Sequence, residues 1–209
     1  MYTGSFDQEM ADDFIKYHLL NPEEFWTPMP LTSIAVNDPM FRNNPGNDWS
    51  GQPEALTYQR SIRALENYGH YAELTMIGGN FLNVIGKTYQ FTQQFDPFYS
   101  SLSVATQKDG YGPGILASLE FISRFYGIHI TLDKVYWSCL DNSNDYKYSQ
   151  KCGDMLFEMK TRGNLVFCSI NSENIFSFTK GVRVVSNLKG QLIEVIGIET
   201  SRKKASFGL

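Results

Sequence analysis

The chain has 209 residues, 42% of them hydrophobic, which suffices for one sizeable domain or two small ones and excludes disorder as the main state. Its net charge is -4, from 18 Lys and Arg against 22 Asp and Glu, and this balance argues against a phosphate-tracking nucleic-acid partner. No apolar run approaches the roughly 18 residues of a membrane span, and Met1 to Ala11 lacks the basic start and apolar stretch of a leader, so neither a membrane partner nor an address is legible.

Met10, Phe14 and Tyr17 recur at helical spacing between Gln8 and Leu20, and Asn21-Pro22 ends that helix. Phe25 to Gly51, punctuated by prolines, reads as a long ordered loop of the kind that carries function. Tyr58, Ile62 and Leu65 mark a second helix closed by Gly69, and Leu74, Ile77, Phe81 and Val84 a third closed near Gly86. A polar and aromatic loop runs from Tyr89 to Tyr111. Pro113 then opens a fourth helix whose expected buried stripe is Ile115, Leu119, Ile122 and Tyr126, ending at Gly127. Beyond Ile130 the period shortens to two: Met155, Phe157 and Met159 alternate with Leu156, Glu158 and Lys160, and Leu165 to Ile170, Ile175 to Phe178, Val182 to Val185 and Leu192 to Ile198 follow. Arg162-Gly163-Asn164 and Lys189-Gly190 are the expected turns. The fold class is therefore α+β, with residues 1–130 helical and residues 131–209 an antiparallel β-domain.

Several chemical motifs fail on inspection. Gly86-Lys87-Thr88 lacks the first glycine of a phosphate loop and follows a helix, so it reads as a helix terminus. Asp109 to Gly114 reads as a turn and helix cap before it reads as an anion cradle. The three cysteines and three histidines, among them His18, His70 and His129, have no metal-ligand spacing, so neither metal nor cofactor is expected. Two segments remain: Asn47-Asp48-Trp49-Ser50-Gly51-Gln52-Pro53 and Phe91-Thr92-Gln93-Gln94-Phe95-Asp96-Pro97-Phe98. Each sets amides, a carboxylate and aromatic rings side by side on a loop, the mixture that hydroxyls and the apolar face of a sugar require. The competing reading makes Trp49 and Phe95 core plugs under their loops.

The run from Asn21 to Val36, Asn47 to Pro53, Tyr58-Gln59-Arg60, Ala64 to Gly69 and Phe91 to Phe98 resembles trehalase-like glycoside hydrolases, in particular mannosyl-oligosaccharide glucosidases and their bacterial α-glycosidase relatives. The resemblance covers about Ala11 to Trp137. It implies the six-hairpin (α/α)6 toroid, here its C-terminal part followed by a small antiparallel β-domain, and metal-independent hydrolysis of α-glycosidic bonds with inversion. The family's acid would lie upstream of Met1. Its base falls at Gln93, an amide that can orient water but not deprotonate it. Asp96 is the nearest substitute carboxylate, ranked above Glu54, for a reaction that needs two carboxyls roughly 6.5–9.5 Å apart.

The implied function is a carbohydrate-active protein, the C-terminal portion of an inverting glucosidase- or trehalase-like enzyme acting on an α-linked oligosaccharide, with this chain inactive alone. Asp96 and Gln93 would stand at the reacting bond, and Asn47, Trp49, Gly51, Gln94 and Tyr111 would bind the sugar. The alternative is a non-catalytic carbohydrate-binding or structural remnant, and a third reading is an interaction module. The expected partners are an oligosaccharide or small α-glycoside, plus an upstream barrel segment or a second copy of the chain.

Overall fold

The structure is a computed structural model that describes residues 1–46, 49–104, 110–140 and 144–197. It divides into two compact units, Met1–Phe121 and Ile122–Leu209.

In the first unit α1 (Gln8–Phe14) begins at Asp7, whose carboxylate accepts from the Met10 N–H at 2.8 Å, and runs on as a π-turn, Ile15–Leu19. Its buried residues are Ala11, Ile15 and Leu19, whereas Met10 and Tyr17 of the expected stripe are exposed. Helices α2 (Ala55–Glu66) and α3 (Tyr71–Thr88) form a hairpin through Gly69, whose φ of 74° closes the turn. Tyr58, Ile62 and Leu65 of α2 and Leu74, Ile77, Phe81 and Val84 of α3 are buried, as their spacing predicts. Phe81 is the hub of this core, with ring centroids 4.8 Å from Tyr58, 5.4 Å from Phe95 and 5.8 Å from Phe121.

Helix α4 (Gly112–Tyr126) departs from its expected stripe. It buries Gly114, Ala117, Ser118, Phe121 and Phe125 and leaves Leu119 and Ile122 exposed. The reason is close approach: a Cβ at Gly114 would already lie 3.4 Å from the Thr92 carbonyl oxygen and 3.6 Å from the Ala55 Cβ, so the small-residue face packs inward. Between α3 and α4 a two-stranded ribbon pairs β1 (Phe95–Asp96) with β2 (Ser101–Leu102).

The second unit carries β3 (Ile128–Ile130), β4 (Lys134–Cys139), β5 (Lys147–Cys152), β6 (Met155–Arg162), β7 (Leu165–Ile170), β8 (Glu173–Thr179), β9 (Val182–Asn187) and β10 (Leu192–Gly197). They form two antiparallel sheets ordered β10-β9-β4-β3 and β5-β6-β7-β8, which share one core built on Trp137, Phe157, Met159, Cys168, Phe178 and Val184. Gly163, at φ 57°, turns β6 into β7.

The toroid expectation is overturned. Four α-helices and ten strands in three antiparallel sheets are present among the described residues, an α+β arrangement rather than part of an (α/α)6 ring. A toroid buries each helix between ring neighbours, whereas here α2, α3 and α4 close on a single aromatic core around Phe81.

Candidate functional site

The two suspicious segments meet at the start of α2. Glu54 is extended, with φ -112° and ψ 136°, and its backbone bridges that of Gln94 antiparallel. Ala55 N donates to the Gln93 carbonyl at 2.8 Å and Phe95 N to the Pro53 carbonyl at 3.1 Å, which pins residues 53–55 against 93–95. Ser103 N donates to the Gln94 carbonyl at 3.1 Å, and Tyr111 N to the Phe91 carbonyl at 2.9 Å. The result is a layer of buried polar side chains: Gln52, Glu54, Thr92, Gln94 and Ser103.

This layer is under-satisfied. Neither amide atom of Gln94, which is 0% exposed, has a hydrogen-bond partner, and the Thr92 hydroxyl and Gln52 Oε1 are in the same condition. Each such group costs about 1–3 kcal/mol relative to a paired one. The other end of the layer is connected: Gln52 Nε2 donates to Asn43 Oδ1 at 2.8 Å, and Asn43 Nδ2 donates to Asp96 Oδ2 at 3.3 Å. Burial, and then the charge of Glu54, push the Tyr111 phenol above its ordinary range, while Arg60 opposes them.

Asp96 is a turn-former. Its Oδ1 accepts from Phe98 N at 2.9 Å and Tyr99 N at 3.1 Å, closing the turn that leads to β2. Gln93 is half-buried at a bend just before the bridged Gln94. Gly51 lies in a parallel bridge with Arg42, and Tyr111 immediately precedes α4. Trp49 is 46% exposed at φ 58°, on a loop held by the Ser33 hydroxyl, which donates to the Trp49 carbonyl and accepts from Gly51 N, both at 3.0 Å. Phe95, by contrast, is wholly buried. Asn47 lies outside the described residues.

Asn43, Gln52, Thr92 and Ser103 enter the cluster without having been singled out. Gln52 and Thr92 do sit inside the two polar and aromatic segments, but Asn43 is brought in only by the fold of the long loop. Among the described residues no group of three or more His, Cys, Asp or Glu could hold a metal ion. His70 is instead held between Asp12 at 3.0 Å and Glu73 at 3.4 Å.

No family model matches the chain, and no curated protein does. The glycosidase resemblance is therefore corrected on two findings: neither a glycoside hydrolase family nor a relative supports it, and the fold lacks the helical ring. Of the two carboxylates in this region, Asp96 accepts from three donors and Glu54 is wholly buried.

Proposed function

We propose that the first unit binds carbohydrate without hydrolysing it. The observation that supports this most is the display of Trp49, a large ring half open to solvent on a loop pinned at Ser33 and Arg42, which leads in the chain to Gln52 and its hydrogen-bonded partners Asn43 and Asp96. A pyranose uses such a pairing: its apolar face stacks on the ring while its hydroxyls exchange hydrogen bonds with amides and carboxylates. A rigid loop lowers the ordering cost of that contact.

Isothermal titration of the full chain with maltose and with trehalose tests the reading. Saturable heat with at least one of the two, lost in Trp49→Ala at unchanged melting temperature and unaccompanied by release of reducing sugar, is the expected result. Absence of heat with both sugars, or an affinity unaltered by Trp49→Ala, overturns it.

A further inference from the structure

The net charge of -4 averages two units of opposite sign. Met1–Phe121 holds 6 Lys and Arg against 14 Asp and Glu, whereas Ile122–Leu209 holds 12 against 8. In the second unit part of the positive charge lies on one surface, the outer face of the sheet β5-β6-β7-β8. Strand alternation sends Phe157, Met159, Val166, Cys168 and Phe178 into the core and the intervening residues outward.

The pairing register fixes which outward residues are neighbours. One cross-strand row reads Lys147, Lys160, Phe167, Ser177, and the next reads Arg162, Leu165, Thr179. All seven are exposed, Phe167 at 40% and Leu165 at 43%. On the other side of the first row Lys147 forms an ion pair with Glu158, which also accepts from the Ser149 hydroxyl at 3.1 Å. Lys151, further along β5, is exposed opposite Leu156. The face thus carries Lys147, Lys151, Lys160 and Arg162 against one acidic side chain, with an open aromatic ring directly opposite Lys160.

We propose that this sheet face binds single-stranded nucleic acid, with an unpaired base stacked on Phe167 and the flanking phosphates on Lys160, Arg162 and Lys147. Charge complementarity calls for a polyanion, and the exposed ring selects among polyanions. An unpaired base offers a planar π-face to Phe167, whereas a duplex hides its base faces. An anionic lipid surface is best met by apolar groups that project into it, whereas Phe167 lies within the sheet, paired to Lys160 on one side and Ser177 on the other.

The test is fluorescence anisotropy of the full chain with labelled single-stranded oligo(dT) of about 12 nucleotides, within the site sizes of known single-strand binders. Binding is expected to weaken with salt by about 0.7 log units per log unit of salt for each phosphate contact. Phe167→Ala should reduce affinity roughly 5- to 150-fold, the range for loss of one stacked base. Lys160→Gln should lower the salt slope by about 0.7 and leave the melting temperature unchanged. The proposal is overturned if oligo(dT) fails to bind or if both variants bind it as the parent chain does. It is equally overturned if heparin or phosphatidylserine vesicles bind while oligo(dT) does not.

Discussion

Trp137 donates its indole N–H to the Ser186 hydroxyl at 2.9 Å inside the core of the second unit, where both side chains are fully buried. Ser186 passes its own hydrogen to the Asn187 carbonyl at 3.0 Å, so β4 and β9 are joined by a short relay as well as by their ladder. Ser186→Ala removes the acceptor and strands the indole N–H in an apolar core. A loss of about 1–3 kcal/mol is expected, read as a lower denaturant midpoint at unchanged slope. Trp137→Phe removes the donor and much of the ring volume. It should also destabilise, through the cavity left beside Phe157 and Phe176.

Two glycines give opposite expectations for the same substitution. A Cβ at Gly51 would lie 2.1 Å from the Arg42 carbonyl oxygen, a backbone atom that cannot swing aside because Arg42 is itself bonded to Ser50. Gly51→Ala should therefore destabilise the first unit by about 1–3 kcal/mol and release the loop that displays Trp49. Gly79, on α3, has nothing within 4 Å of its Cβ position, and there Ala should stabilise by about 1 kcal/mol. Chemical denaturation of both variants checks the pair, and equal effects of the same sign would contradict the geometry.

Acid should loosen the first unit through Glu73. The His70 imidazole, its Nδ1 3.4 Å from Glu73 Oε2, holds that carboxyl below the ordinary value of 4.5, against the opposing pull of burial and of the Asp12 charge. A depressed folded-state value means that the stabilisation is complete above 4.5 and is lost as pH falls through the lowered one. Melting temperature measured from pH 7 downward should fall below the ordinary glutamate value, and Glu73→Gln should flatten that dependence. A parallel decline in the variant would assign the acid sensitivity to other carboxylates.

How much of this was legible depended on whether an element had one apolar face or two. Helices α2 and α3 carry a single stripe, and Tyr58, Ile62, Leu74 and Phe81 are buried as the spacing requires. Helix α4 is apolar nearly all round, so periodicity favoured the larger Leu119 and Ile122, whereas packing against Ala55 and Thr92 selected the face that holds Gly114 and Ala117. Strands β6 to β10 show in β-branched and aromatic residues, but β5, Lys-Tyr-Ser-Gln-Lys-Cys, has almost no apolar signal and is recruited by its partner β6. The two polar loops were visible as candidates, yet the Glu54–Gln94 bridge decides that Gln94 rather than Gln93 is buried, a distinction of one residue that the run Gln93-Gln94 does not contain. Charge told least in total and most when divided, because the fold allots the acidic and basic residues to different units.

Gln94 provides the sharpest trial of the polar layer. Its amide is wholly buried with neither nitrogen nor oxygen paired, a condition that costs stability without visible return inside the first unit. Gln94→Met keeps the length and flexibility of the side chain while deleting both polar atoms, so the folded state should gain roughly 1–3 kcal/mol. A wholly buried amide does not touch a sugar, so the same variant should bind maltose or trehalose as the parent chain does even as it melts higher. Thr92→Val, which removes an unpaired buried hydroxyl at nearly constant shape, should likewise raise the melting temperature, by less, and leave sugar affinity unchanged. A lower melting temperature in Gln94→Met would show that the amide is hydrogen-bonded in solution and serves the fold.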